Sequence, residues 1–337
     1  MTALRITSRT STAMKGLALL CVIISHCYYP MGGGDLNVYH LTFCLCRAGM
    51  FIFLFLSGYG LYFSFLKNGL AGYWEKKINK IYFPAVLAQS IGSGVYAVLM
   101  QRIPNRAILF DDIFVRTVQS EFNPFIWYLQ YLLIWYILFY AVYRLFDRRF
   151  YRVIAWIFLG LFMWFFTGEI FFGLANEYCL AFPLGIVWAL ISNKEFGFWR
   201  KFGEESRKKY LLIIGAVSTI AVVVCVSVNY NMWTAENVFF GRKINFWLFT
   251  GITNALYLII CISVSLVLGI IFRVIDQKSL LEKFGDVSYY VYLLHGAFII
   301  TPLTVIGKYR MIILFVGVTA MSCMICLYLR LEKRMSG

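Results

Sequence analysis

Long apolar segments, separated by short polar connections, follow one another along the whole chain. Most of them are close to the ~20 residues that a helix needs to cross a hydrocarbon core ~30 Å thick. The pattern therefore predicts an all-α, polytopic integral membrane protein with about ten transmembrane helices. The predicted spans are 14–30, 41–66, 81–100, 124–145, 153–167, 174–191, 210–228, 246–271, 287–306 and 310–329.

The distribution of basic residues predicts the orientation of these helices. With the N-terminus inside, the inner connections hold 23 Lys and Arg residues and the outer loops hold 7. A basic excess marks the cytoplasmic side, so both termini are predicted to be cytoplasmic. The apolar run 16–27 follows a basic stretch, as in a secretory signal, but no small-residue cleavage site follows it. We interpret this run as part of an uncleaved first helix.

Composition excludes a soluble fold. Apolar residues make up 61% of the 337 residues, charged residues only 14%, and the mean hydropathy is +0.75. The net charge is +15, and the basic residues responsible for it lie between apolar segments. This placement favours the anionic membrane face as their partner and not nucleic acid. With no linker along the chain, we predict one transmembrane domain over residues 1–337, without an appended soluble domain, in the plasma or inner membrane.

The nine cysteines indicate neither disulfides nor a metal site. Their number is odd, and each lies in an apolar stretch. Cys323 and Cys326 form a C-x-x-C pair, but no histidine or carboxylate accompanies it. We interpret the cysteines as small apolar helix residues.

Two of the three histidines, His26 and His295, fall inside predicted spans. An ionisable group within a membrane helix is costly, which makes both of them functional candidates. Lys15 precedes His26 by three helical turns and shares its face, about 16 Å away along the axis. Tyr292 and His295 share a face of the ninth span.

Each intramembrane histidine has two interpretations. A lone histidine could simply form a hydrogen bond between helices. An imidazole near the middle of the membrane could also act as a general base that takes the proton from an attacking hydroxyl. The similar predicted depth of His26 and His295 favours the second interpretation. His40, near an outer helix end, is interpreted as an interfacial residue.

Five short elements occur in order along the chain, and together they resemble the membrane acyltransferase 3 family. They are K-x10-H at 15–26, F-I-F-L-F-L-S-G-Y-G at 51–60, K-K-I-N-K-I-Y-F-P at 76–84, W-Y-L at 127–129 and F-G-D-V-S-Y-Y-V-Y-L-L-H at 284–295. Lysine stands at 15, 77 and 80 where the family pattern has arginine. Lysine keeps the charge but lacks the bidentate fork.

The resemblance implies an O-acetyltransferase that moves an acyl group, usually acetyl from cytoplasmic acetyl-CoA, to a sugar hydroxyl of a cell-envelope polysaccharide or lipid-linked glycan. We predict no metal cofactor. His26 is then the first choice for the general base, and His295 and Lys15 complete the catalytic set. Lys15, Lys77 and Lys80 could hold the CoA phosphates. The partners would be acyl-CoA, the glycan acceptor and membrane lipids.

The residues considered for binding the acceptor are Arg47, Trp127, Tyr128, Glu177 and Tyr292. Arg47 could instead extend to water at the outer surface, and Trp127 and Tyr128 could be interfacial anchors. Ser57 and Tyr59 are interpreted as packing around Gly58.

A transporter or flippase of a glycan or lipid precursor is the alternative function, with intramembrane polar residues lining a pathway. The chain shows no internal repeat of the kind that many carriers have. Within the enzyme hypothesis, both direct transfer and a transient acyl-histidine remain open.

Overall fold

The structure is a computed structural model, and it describes the larger part of the chain. The described residues are 5–28, 36–100, 123, 126–166, 178–193, 213, 215–218, 220–221, 224, 238–239, 242–243, 246–274 and 277–300. Only the backbone is described at 25–28, 36–46, 95, 98–100, 166, 238–239, 242–243, 246, 273–274 and 296–300.

The described residues are almost entirely helical. The helices are α1 (Ser8–Tyr28), α2 (Leu36–Asn68), α3 (Tyr73–Lys77), α4 (Phe83–Met100), α5 (Trp127–Leu145), α6 (Arg149–Phe166), α7 (Ala181–Ser192), α8 (Phe246–Val274) and α9 (Leu280–Ile300). A π-helical segment, Ile78–Tyr82, joins α3 to α4. The exception to helix is an antiparallel hairpin of β1 (Val238–Phe239) and β2 (Arg242–Lys243), which lies in a predicted outer loop.

Two described stretches are long and apolar enough to cross a membrane, Arg47–Asn68 in α2 and Trp247–Phe272 in α8. The apolar helix α7 is shorter. The tenth predicted span and most of the seventh lie outside the described residues. The count of ten helices and the cytoplasmic termini therefore stay predictions.

The face of α6 that is exposed in this structure is apolar. After its first turn, the exposed residues recur at helical spacing and are Ile154, Ile157, Phe158, Leu161, Phe162 and Phe165. A helix in water would carry polar side chains on such a face, whereas contact with lipid requires apolar ones. This surface agrees with a membrane protein.

The chain divides into two compact units. Unit 1 comprises Met1–Gly69 and Val142–Lys283, and unit 2 comprises Leu70–Ala141 and Phe284–Gly337. Helices α5 and α9 each run from one unit into the other. The predicted single domain over 1–337 stays a prediction.

In unit 1, α2 packs along both α1 and α7. The contact with α7 is made through two glycines. A Cβ on Gly58 would overlap the main-chain carbonyl of Phe182, and one on Gly185 would overlap that of Phe55. Small residues let membrane helices approach this closely. This confirms that Gly58 of the S-G-Y element is a packing position.

Side-chain caps start two of the helices. The Thr7 hydroxyl accepts a hydrogen bond from the Thr10 N–H at 3.1 Å and begins α1. Ser279 and Glu282 form a capping box at the start of α9, with the Ser279 N–H donating to the Glu282 carboxylate at 2.8 Å and the Glu282 N–H donating to the Ser279 hydroxyl at 3.3 Å.

In unit 2, the π-helical segment lies directly before a proline. Its wide turn is closed by a hydrogen bond from the Phe83 N–H to the Ile78 carbonyl. Pro84 has no N–H to donate to the preceding turn, which is a common cause of such local irregularity. The segment belongs to the basic element at 76–84.

Candidate functional site

His295 is buried inside unit 2, with 2% of its surface exposed. Its Nδ1 is hydrogen-bonded to the main-chain carbonyl of Tyr292. A carbonyl oxygen can only accept, so Nδ1 carries the proton and donates it. In the neutral ring, Nε2 then has the lone pair and can accept a proton. Proton acceptance at Nε2 is the property that a general base requires.

Aromatic rings pack beside this histidine. The rings of Tyr292 and His295 are 5.1 Å apart, and those of Tyr128 and Tyr292 are 5.2 Å apart in an edge-to-face arrangement. Both tyrosines are buried, while Trp127 is half-buried against Tyr128. The structure thus brings together Tyr128, Tyr292 and His295 from the two sequence elements at 127–129 and 284–295.

A pair of buried amides in the same unit was missing from the sequence-based candidates. The Asn123 side-chain amide donates to the Gln89 carbonyl oxygen at 2.8 Å and to the main-chain carbonyl of Leu293 at 2.9 Å. Each amide residue is 1% exposed. Asn123 closes a predicted outer loop, and nothing in its sequence context indicates this contact with α9.

Lys77 lies against two tyrosine rings. Its Nζ is 4.0 Å from the centre of the Tyr136 ring and 5.6 Å from that of Tyr73. The Tyr73 hydroxyl donates to the Tyr136 carbonyl at 2.8 Å, which holds the two rings in place. Burial lowers the pKa of the Lys77 ammonium to about 8, and the charge of Lys80 adds to this effect. Lys80 itself is exposed.

In unit 1, the segment before α1 is attached to the S-G-Y element. The Tyr59 hydroxyl accepts from the Ile6 N–H at 2.9 Å and is 3.3 Å from the Ile6 carbonyl. The Arg5 guanidinium lies 4.9 Å from the centre of the Phe63 ring, one turn further along α2. Tyr59 therefore anchors the segment that precedes α1.

An ion pair joins the start of α1 to the start of α9. Arg9 Nε donates to Glu282 Oε1 at 2.8 Å and Arg9 Nη2 donates to Oε2 at 3.2 Å. The Arg9 hydrogen bond, with those from Ser279, holds the pKa of the Glu282 carboxyl at about 2 despite its burial. The S-x-x-E spacing in the sequence indicates the capping box, but nothing in the sequence indicates that Arg9 of α1 pairs with Glu282.

The other candidates lie in unit 1 or outside the described residues. Lys15 is half-buried in α1, and Arg47 is buried in α2 with 8% of its surface exposed. His26 belongs to α1 by its backbone, and its side chain lies outside the described part, as does the whole of Glu177. The role of each residue as a site residue stays a prediction.

The chain was also compared with known proteins. A family model described as an acyltransferase domain, that of acyltransferase 3, matches residues 11–331. Comparisons with curated proteins and with solved structures gave no match. The family match covers all five of the elements on which the resemblance was based.

Proposed function

The chain belongs to the acyltransferase 3 family, and from this we propose that it is a membrane O-acyltransferase that moves an acetyl group from cytoplasmic acetyl-CoA to a sugar hydroxyl. The acceptor would be a cell-envelope polysaccharide or a lipid-linked glycan. The observation that carries the proposal is the family match over residues 11–331, a range that includes His26 and His295.

The proposed reaction is a direct transfer. The imidazole of His26 takes the proton of the acceptor hydroxyl while the hydroxyl oxygen attacks the thioester carbonyl. The tetrahedral intermediate collapses, the carbon–sulfur bond breaks, and the CoA thiolate leaves and receives the proton from the imidazolium. The products are the O-acetyl sugar and free CoA.

His295 is the second histidine of this proposal. Its bond to the Tyr292 carbonyl keeps Nε2 as the proton-accepting nitrogen. Such a ring can relay a proton or hold the acceptor hydroxyl, and a fixed ring orientation favours either task. The geometry supports a chemical role for His295 beside that of His26.

The acetyl-CoA phosphates would be held by Lys15, Lys77 and Lys80. All three lie in or next to segments predicted to be cytoplasmic, and lysine binds phosphate as a point charge. Lys80 is exposed, as such a contact requires, whereas Lys77 is half-buried against aromatic rings.

The acceptor would be bound by Arg47, Trp127, Tyr128, Glu177 and Tyr292. The aromatic residues among them offer apolar faces for sugar rings. The packing of Tyr128 on Tyr292, next to His295, is the contact that supports this assignment most directly.

The test is acetyl-CoA turnover, followed as release of free CoA by the purified protein in liposomes with a crude cell-envelope glycan fraction. Wild type is compared with His26→Ala and with His40→Ala, which removes a histidine of predicted interfacial role. We expect acceptor-dependent release that His26→Ala lowers by about 10²-fold or more, the usual size of general-base catalysis, and that His40→Ala leaves unchanged.

Two results would contradict the proposal. Equal turnover by His26→Ala and wild type would exclude His26 as the base. Binding and transbilayer movement of the glycan with no release of CoA from acetyl-CoA would identify a transporter instead.

A further inference from the structure

Arg9 contacts the end of α8, the connection that follows it and the start of α9. Besides the two hydrogen bonds to Glu282, its Nη2 donates to the main-chain carbonyl of Gln277, and its guanidinium lies 4.7 Å from the centre of the Phe272 ring. The paired bonds to one carboxylate define an orientation as well as a distance. A single side chain therefore connects α1 to the last turn of α8 and to the first turn of α9.

The Glu282 carboxylate is also held by hydrogen bonds from Ser279, at the start of its own helix. Its Oε2 accepts from both the N–H and the hydroxyl of Ser279, at 2.8 and 2.9 Å. The residue is 5% exposed, so solvent does not compete strongly for the carboxylate. Because the carboxylate is fixed to the first turn of α9, any displacement of that turn along the membrane normal would strain the bonds to Arg9.

The residues just before Arg9 are also anchored. The main chain of Ile6 is hydrogen-bonded to the Tyr59 hydroxyl of α2. The start of α1 is thus tied to α2 at Ile6 and to α9 at Arg9. Two attachments on different helices define the position of α1 along its own axis, which a smooth helix–helix contact does not do.

The helices at the two ends of the ion pair carry the two candidate histidines. His26 lies about 25 Å further along α1 than Arg9, and His295 lies about 20 Å further along α9 than Glu282, at a rise of about 1.5 Å per residue. A continuous helix transmits an axial shift along its length. A slip of one turn would move a histidine by about 5.4 Å, and even 1 Å is enough to impair a reaction that depends on orientation.

We propose that Arg9 and Glu282 are positioning residues for acyl transfer, and that their ion pair sets the register of α1 against the start of α9. The role rests on the proposed function, because it concerns the rate of acetyl transfer. Neither residue contacts the reacting atoms in this assignment. They act through the helices that carry the base and its companion histidine.

The test is a double-mutant cycle with Arg9→Gln, Glu282→Gln and the double variant, in the full chain in liposomes. Glutamine at 282 keeps the capping box but removes the charge. We expect each single variant to lower kcat roughly tenfold, with KM for acetyl-CoA within about twofold of wild type, and the double variant to be no slower than the slower single one. Arg9→Lys keeps the charge but loses the paired hydrogen bonds, so it should regain only part of kcat.

Two controls separate positioning from folding. Ser279→Ala weakens the start of α9 but keeps the ion pair, and Lys283→Glu changes the charge of the exposed neighbour by two units. Both should keep the wild-type kcat per folded molecule, with the folded fraction measured by size exclusion and thermal unfolding. A Ser279→Ala variant as slow as Glu282→Gln would overturn the proposal, because the start of the helix and not the pair would then matter.

The remaining outcomes test the positioning role and the proposed function separately. Wild-type kcat in both single variants, or single effects that multiply in the double variant, would overturn the positioning role while leaving the acyltransferase function intact. If wild type itself releases no CoA from acetyl-CoA with the glycan fraction, the proposed function fails, and the positioning role falls with it.

Discussion

The hydroxyl of Tyr289 donates a 2.6 Å hydrogen bond to the main-chain carbonyl of Ile81. Tyr289 belongs to the sequence element at 284–295, and Ile81 lies in the π-helical segment within the element at 76–84. The irregular backbone before Pro84 is thereby bound by a side chain of α9. Two elements that are far apart in the sequence are parts of one local structure in unit 2.

Removing this bond should destabilise unit 2. In Tyr289→Phe the Ile81 carbonyl loses its tyrosine donor, and we expect a loss of about 1 kcal/mol in the free energy of unfolding. Thermal unfolding in detergent measures the change. Tyr151→Phe, which removes a hydroxyl from an exposed tyrosine of α6, is the matched control and should unfold as wild type does. Equal unfolding temperatures for all three proteins would contradict the prediction.

The contact between α2 and α7 should not tolerate a single added methyl group. In Gly58→Ala or Gly185→Ala the new Cβ meets a main-chain carbonyl, which cannot move aside as a side chain can. We expect a loss of about 2 kcal/mol in stability, the usual size of overpacking. Gly60→Ala lies on the same helix, and no described residue comes within 4 Å of the new Cβ, so it should be neutral or slightly stabilising. A similar unfolding temperature for Gly58→Ala and Gly60→Ala would be evidence against close backbone packing.

His295→Asn distinguishes the structural role of imidazole Nδ1 from the chemical role of Nε2. The asparagine amide can still donate to the Tyr292 carbonyl in place of Nδ1, but it provides no lone-pair nitrogen in place of Nε2. If His295 handles a proton, this variant should keep the unfolding temperature of wild type and lose about 10²-fold or more in kcat for CoA release. His295→Gln, which lacks the donor to Tyr292, should also unfold at a lower temperature. Full activity of His295→Asn would leave the histidine with a structural role.

Acid should weaken unit 1 through Glu282. Its pKa in the folded state is about 2, against an ordinary value of 4.5, so the folded state holds fewer protons than the unfolded state between these values. The stabilisation is complete above about pH 4.5 and is lost as the pH falls towards 2. We expect the unfolding temperature of wild type to fall more steeply over this interval than that of Glu282→Gln. A matched variant at an exposed carboxylate, Glu75→Gln, should follow wild type.

The apolar pattern predicted where helices occur better than where they begin. The first span was predicted from residue 14, whereas α1 begins at Ser8, because the Thr7 cap and the contacts of the N-terminal segment stabilise a turn of polar residues. Likewise α9 begins at Leu280 and not at 287, behind the capping box of Ser279 and Glu282. Hydropathy does not detect such polar first turns, although the S-x-x-E spacing does indicate one of them.

The sequence also identified part of the candidate site. The helical spacing of Tyr292 and His295 correctly placed them together, since spacing within one helix determines which side chains meet. The packing of Tyr128 on Tyr292, the Asn123 amide on Leu293 and the pairing of Arg9 with Glu282 join distant parts of the chain. Such partners depend on tertiary packing, and periodicity carries no information about it.

The reciprocal glycine contact of α2 and α7 means that the S-G-Y element of a related sequence should be interpreted together with the residue that faces it on α7. Position 58 requires glycine because the main chain of Phe182 lies against it, and position 185 requires glycine because the main chain of Phe55 lies against it. The element is therefore half of a pair, and substitutions at the two positions should covary across relatives. A chain that carries S-G-Y without a small residue in the facing helix would have to pack these helices differently, whatever its catalytic residues.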